Sequence, residues 1–212
     1  MSPITTSWSI RTAAAGDGAS VGDLAAVALG CTDPDPGKGL PAQIDAHGGY
    51  VEVPHGTGTC RVAADDKGVV GMVYTAPPVS WIEAHPAAVQ PLLARYFTKV
   101  ELLAVREEQR EQGVGGALIS AVETAERDRG AHLLFANVDL RDRKILVWYR
   151  RRGYTIAAPS EPIILTSSRG PLSLVDTGDG YLLAAKAIQP GCRLTRAQVG
   201  QETCLFVEQK RG

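Results

Sequence analysis

A carboxylate inside an apolar run is the first residue of this chain that asks for a chemical explanation. Val100, Leu102, Leu103, Ala104 and Val105 read as a short strand buried on both faces, and Glu101 interrupts them. An ionised carboxylate is costly there unless it meets water, a partner or a substrate. Directly downstream, Gly113, Gly115 and Gly116 open a stripe of apolar residues at helical spacing, namely Ala117, Leu118, Ala121, Val122 and Ala125. Arg127 and Arg129 followed by Gly130 mark the other end of that helix, cations on the negative dipole end before a left-handed glycine cap. A helix start presents unpaired N–H groups and a positive dipole end, and residues without Cβ let phosphate oxygens come close. The turn therefore reads as an anion site suited to pyrophosphate, against the plainer reading that its glycines serve close packing.

Two common nucleotide motifs do not fit. A dinucleotide fingerprint needs a third glycine where Leu118 stands, and a Walker loop needs a Gly-Lys-Ser or Gly-Lys-Thr that this stretch lacks.

The stretch resembles the central motif of the GNAT acyltransferase superfamily, Gln or Arg, two residues, Gly, one residue, then Gly or Ala, directly after a strand. Arg110, Gly113 and Gly115 carry it. Farther on, "WYRRRGYT" resembles the family's Tyr-x-x-x-Gly-aromatic ending at Tyr149, Gly153 and Tyr154, and "WSIRTAAAGDGASVGDLAAVA" is similar to its opening strand and first helix. The resemblance covers roughly residues 7 to 158, with a last strand expected at 181–188.

The resemblance implies a mixed, mostly antiparallel sheet of about six to seven strands flanked by helices and splayed at the central strand. It implies acetyl-CoA as cosubstrate, with no metal. The pyrophosphate cradle would be Arg110, Gln112, Gly113, Val114, Gly115 and Gly116, and the backbone of Leu103, Ala104 and Val105 would meet the pantetheine amides. Asp142 stands where many members carry an asparagine that bonds the pantetheine arm, with Asn137 earlier on the strand. Tyr149 resembles the general acid that protonates the departing thiolate, against a plain core aromatic beside Trp148. Glu101 would be the general base, through water, against an ordinary ion pair with Lys99 or an arginine. An amine with a pKa near 10 must lose a proton before it attacks at neutral pH, and a thiol with a pKa near 8.5 leaves only moderately well as thiolate. Glu107, Glu108 and Glu111 are unfavourable near a pyrophosphate unless they point away.

The expected activity is N-acetylation of a small-molecule amine by direct attack in a ternary complex. A protein or peptide acceptor and a non-catalytic acyl-CoA sensor are the alternatives.

The elements that must hold these groups are legible in order. A strand is expected at 7–11, then a turn at Gly16, Asp17 and Gly18 and an Ala-rich helix closed by Gly30. Residues 31–58 read as a long loop with a short helix near 43–46, which the resemblance places at the acceptor with Asp45, His47, Tyr50 and His55. A hairpin follows, 59–64 with 69–75, turning at Asp65 to Gly68. A helix is expected at 86–97, with Trp81, Glu83 and His85 at its entrance, then a strand at 132–138. In the helix expected at 140–152, Ile145, Leu146, Trp148 and Tyr149 form the inner face and the arginines, Arg141, Arg143, Arg150 and Arg151, lie outside. Residues 159–180 read as loop apart from "IILT", and 181–188 as a strand. One domain is expected over 1–188, with 189–212 an extension whose "TCLFVEQ" is a further strand that could pair within the chain or across a homodimer.

Composition narrows the partners. A chain of 212 residues with 44% hydrophobic content can bury one sizeable core, and a net charge of −1 offers no global field for nucleic acid. No run approaches the roughly 18 apolar residues of a membrane span, and no signal-peptide core is visible at the N-terminus, so a cytoplasmic protein is expected. Cys31, Cys60, Cys192 and Cys204 are scattered without zinc-ligand spacing, which favours buried thiols.

Overall fold

In the computed structural model, residues 8–29, 39–167, 170–175 and 178–209 are described. Gly30, Cys31 and the first part of the glycine- and proline-rich loop lie outside them.

The chain runs β1 (Ser9–Thr12), α1 (Gly18–Leu29), α2 (Leu40–His47), β2 (Tyr50–Val53), β3 (Gly56–Asp65) and β4 (Gly68–Ala76). Then come α3 (Val79–Glu83), α4 (Gln90–Tyr96), β5 (Phe97–Val105), a 3-10 turn (Glu107–Gln109) and α5 (Val114–Asp128). The remainder is β6 (Leu133–Asp139), α6 (Arg143–Arg151), β7 (Thr155–Ile156), β8 (Ile163–Ser167), β9 (Gly170–Leu174), β10 (Tyr181–Ala187), β11 (Cys192–Val199) and β12 (Glu202–Gln209). The described residues fall into two compact units, one within 1–79 and 100–124, the other within 80–99 and 125–212.

In the first unit β1, β2 and β4 all pair antiparallel with β3. The β3–β4 hairpin forms where the sequence places it. Lys67 N donates to Asp65 Oδ1 at 2.8 Å, and Gly68 takes the positive φ of 125° that closes the turn. Most of 39–58, expected as loop, is regular, because Leu40 and Ile44 share a helix face and bury it with Val21 and Leu24 of α1 against Val62 and Met72. Asp45 holds the start of α1, accepting from Gly16 N at 2.9 Å and Gly18 N at 3.0 Å.

In the second unit β6 and β7 flank β10, both antiparallel. A separate sheet runs β11-β12-β8-β9, antiparallel except for β12 against β8. The excepted "IILT" lies in β8, and β9, expected as loop, pairs antiparallel with it, since Ile163, Leu165, Leu172 and Leu174 bury in a core with Ile82, Leu93 and Phe97. The tail contributes two strands, pinned by Arg196, whose guanidinium meets both oxygens of the buried Glu161 at 2.5 and 2.8 Å. The helix expected at 86–97 is the shorter α4, which starts at Gln90, and the residues expected at its entrance include a separate short helix, α3. No helix among the described residues is long and apolar enough to cross a membrane.

Candidate functional site

In the first unit the site begins at β5. Its side chains alternate, with Val100, Leu102 and Ala104 buried, Leu103 and Val105 part-exposed and Glu101 exposed. The strand is therefore not buried on both faces, and the premise that Glu101 pays for burial is corrected: its carboxylate stands at the surface end of an alternating pattern. Arg106 N donates to Val70 O at 2.9 Å, and a Cβ at Gly71 would lie 3.1 Å from Ala104 O, so the end of β5 lies beside the start of β4.

The turn after β5 is built from its own backbone. Gln109 N and Arg110 N donate to Arg106 O and Glu107 O, Glu111 takes a φ of 62° and Gly113 one of 86°. A Cβ at Gly113 would meet nothing within 4 Å, so glycine stands there for its φ and not for crowding. The first bond of α5 runs from Ala117 N to Gly113 O at 3.0 Å, which leaves the amides of Val114, Gly115 and Gly116 ahead of the helical ladder. Glu107, Glu108 and Glu111 are all exposed. Arg110 is exposed too; its Nε donates to Val105 O at 3.2 Å, while Gln112 Nε2 donates to Glu108 O at 2.9 Å. Gln109 Oε1 is buried without a hydrogen-bond partner among the described residues.

Tyr74 is a residue the sequence reading did not single out. Its phenol crosses Gly58 of β3, and burial first, then the charges of Glu101 and Cys60, push its pKa up to about 12. The only signal available beforehand was the glycine facing it two residues from its paired position, Cys60.

In the second unit α6 carries Tyr149. Asp142 caps the helix by accepting from Ile145 N at 3.0 Å, which occupies one of its oxygens. Leu146 and Tyr149 are buried, but Ile145, expected inside, is 40% exposed. The helix starts three residues later than expected, and Leu146 and Tyr149, spaced three apart, define its inner stripe. Tyr149 packs edge-on against Trp148 and Tyr154, each with ring centroids 4.9 Å away. Burial pushes its phenol well above the usual range, with the Arg152 charge pulling weakly the other way. It therefore holds its proton throughout the neutral range. Arg152 lies over the Trp148 ring at 3.7 Å, and Gly153 takes a φ of 81° to end the helix. Asn137 of β6 has a buried Oδ1 without a partner among the described residues.

The first unit thus presents a strand followed by a turn with helix amides ahead of the ladder, and the second a buried tyrosine on α6. Residues 56–156 match the family model described as an acetyltransferase (GNAT) domain. This segment carries a GNAT acetyltransferase domain. Its class of activity is that of a GNAT-type acetyltransferase. A GNAT family acetyltransferase from Elizabethkingia anophelis with acetyl-CoA bound is similar at 18% identity, over 85% of this chain and 97% of that one, with a TM-score of 0.52. Aminoglycoside 6'-acetyltransferase type Ii is similar at 16% identity, 86% and 98% coverage and a TM-score of 0.54. The ribosomal-protein-S18-alanine N-acetyltransferase of Escherichia coli is similar at 13% identity, 92% and 97% coverage and a TM-score of 0.53. At such identities these likenesses carry the GNAT fold, a mostly antiparallel sheet flanked by helices. No curated protein matches the chain significantly.

Proposed function

We propose that this GNAT domain transfers an acetyl group from acetyl-CoA to the amine of a small molecule by direct attack in a ternary complex. The observation that carries the reading is the turn before α5, where Gly113 takes its positive φ over open space and the next three amides precede the helical ladder. Oriented amides at the positive end of a fifteen-residue helix suit a pyrophosphate. Arg110, Gln112, Gly113, Val114, Gly115 and Gly116 would hold it, and the backbone of Leu103, Ala104 and Val105 would meet the pantetheine arm. The orphaned oxygens of Gln109 and Asn137 fit a ligand that brings N–H or O–H donors. Asp142, with one oxygen on its helix cap, keeps the other for that arm.

When bound, acetyl-CoA supplies an activated acyl group on a thioester. Glu101 takes a proton from the acceptor amine through water, and Tyr149, kept protonated by burial, gives one to the departing sulfur. Backbone N–H groups stabilise the charge that develops on the carbonyl oxygen.

A small-molecule acceptor is supported by the segment between β4 and β5, which folds as α3 and α4 with Ile82 and Leu93 fully buried. The relatives act on both kinds of acceptor by name, so an alanyl peptide belongs beside small amines in the assay.

The test is calorimetric titration with acetyl-CoA and with free CoA, using Gly115→Glu to block the cradle, followed by thiol release with an amine panel. Binding in the low-micromolar range or tighter, lost in the variant, supports the reading. No binding to the folded wild type removes it. Binding without turnover by any amine, unchanged in Tyr149→Phe and Glu101→Gln, leaves an acyl-CoA sensor.

A further inference from the structure

β12, the strand expected to pair within the chain or across a homodimer, has no edge left to offer. It is held by β11 on one side and by β8 on the other, so the four-stranded sheet of the second unit ends at β11 and at β9. Every strand of that sheet lies beyond residue 156, where the family match ends.

The two edges differ. β9 has five residues and carries Pro171, and short length and proline are the usual means of keeping an edge from recruiting another chain. β11 has eight residues without proline and pairs with β12 in unbroken register from Cys192 to Val199. It is exposed at Arg193 and from Arg196 to Val199. Arg196 shares a face with Leu194, which packs on the core, and its charge is met by Glu161.

The direction of the backbone groups of β11 follows from its neighbour. Leu205 N donates to Pro162 O at 2.8 Å, so the backbone groups of Leu205 point toward β8 and away from its pair, Arg196. In an antiparallel ladder such a pair is a non-hydrogen-bonded one, and both of its residues aim N–H and C=O outward. Arg196, and by period two Leu194 and Gln198, therefore direct their groups to the open edge, where no backbone group among the described residues meets them.

These groups decide how a second β11 can lie alongside. Running antiparallel with outward groups opposed, two registers keep about seven residues paired. Centring on Arg196 sets two arginines directly opposite one another, which is unfavourable. Centring on Thr195 sets Leu194 against Arg196, Arg193 against Ala197 and Thr195 against its own copy, with no like charges opposed. In that register the strand is complementary to itself.

We propose that β11 pairs antiparallel with β11 of a second copy, centred on Thr195, and joins two four-stranded sheets into one. Leu194 of each chain exchanges hydrogen bonds with Arg196 of the other, and the two Thr195 Cα atoms come to about 4.5 Å across the axis. One strand pair buries little surface, so the association is reversible and depends on concentration.

The test is sedimentation of the full chain between about 2 and 200 µM, for the wild type, Thr195→Lys and Gln198→Pro. The wild type should pass from the mass of one chain to that of two across this range. Thr195→Lys sets two ammonium groups across the axis and should raise the dimer Kd about 10-fold or more. Gln198→Pro removes an outward N–H and no bond to β12, and should weaken the dimer with an unchanged circular dichroism spectrum. If that spectrum changes, Thr195→Lys alone decides. Treated with copper phenanthroline, Thr195→Cys should run as a disulfide-linked dimer on a non-reducing gel, because the Cα spacing lies within disulfide range. Ala197→Cys, which faces Arg193 of the other copy, and the wild type should not. A mass of one chain throughout overturns the proposal. So does a dimer that Thr195→Lys leaves unweakened, or one in which Thr195→Cys stays uncrosslinked. None of these results bears on acetyl-CoA binding, so the acetyltransferase reading stands or falls separately.

Discussion

The phenol of Tyr74 occupies the space a side chain at position 58 would need: a Cβ on Gly58 would lie 2.5 Å from Tyr74 Oη and 2.7 Å from a ring carbon. Tyr74 packs at the margin of the first unit's core, and its hydroxyl feels the charge of Glu101. Gly58→Ala should therefore swing the ring away and cost about 1–3 kcal/mol of stability, read as a lower urea midpoint with an unchanged m-value. Tyr74→Phe, which keeps the ring, should cost less.

Tyr149→Phe separates chemistry from binding. A phenol whose pKa burial has raised stays protonated at neutral pH, so it is fit to give a proton and unfit to take one. The variant should lower kcat about 100-fold while leaving the acetyl-CoA Kd unchanged. The wild-type profile of kcat against pH should show no alkaline loss below about pH 10 that disappears in the variant.

Asp142 is a helix cap whatever else it contacts. Asp142→Ala should cost about 1 kcal/mol in urea unfolding through the lost bond to Ile145 N, whereas Asp142→Asn should cost little because asparagine caps as well. If Asp142→Asn also tightens acetyl-CoA in calorimetry, the residue meets the ligand as well as its own helix.

The tail is tied to the second unit by an ion pair that titrates. The two hydrogen bonds from Arg196 first, helped by one from Ala158 N, hold the buried Glu161 carboxyl below its ordinary pKa. A depressed carboxylate contributes stability that is fully present above its unfolded pKa, near 4.3, and lost as pH falls through the lower folded value. Below about pH 4, amide exchange in β11 and β12 should therefore accelerate. Arg196→Ala should reproduce that acceleration at pH 7 and cost about 2 kcal/mol.

How far these features were legible in the sequence depended on whether local chemistry or distant packing decided them. The hairpin at Asp65 to Gly68, the turn at Gly113 and the helix stop at Gly153 were readable, because each is set by a residue with an unusual backbone preference. The strand and helix around them follow from period alone. Residues 40–53 were read as loop, with a short helix near 43–46, because prolines and glycines are dense there, and within 159–180 only "IILT" at 163–166 stood out from loop. Leu40 and Ile44 became helical by meeting α1, and Ile163 and Leu165 became a strand by meeting β12, forty residues farther on. The same distance effect hid the site's polar details. Glu101 could be placed on its strand, but its exposure depends on neighbours the sequence does not order. The orphaned oxygens of Gln109 and Asn137 are defined only once their surroundings close over them.

The parallel pairing of β12 with β8, Leu205 against Ile163 through Val207 against Leu165, also bears on the birth of the molecule. On a ribosome the β8–β9 hairpin is made first and must wait with one edge bare until β12 emerges. A chain cut short in that interval would have its Gly113 turn complete and an open strand edge, the kind of surface that recruits other chains. The codons for β12 thus act as a seal on the edge of β8.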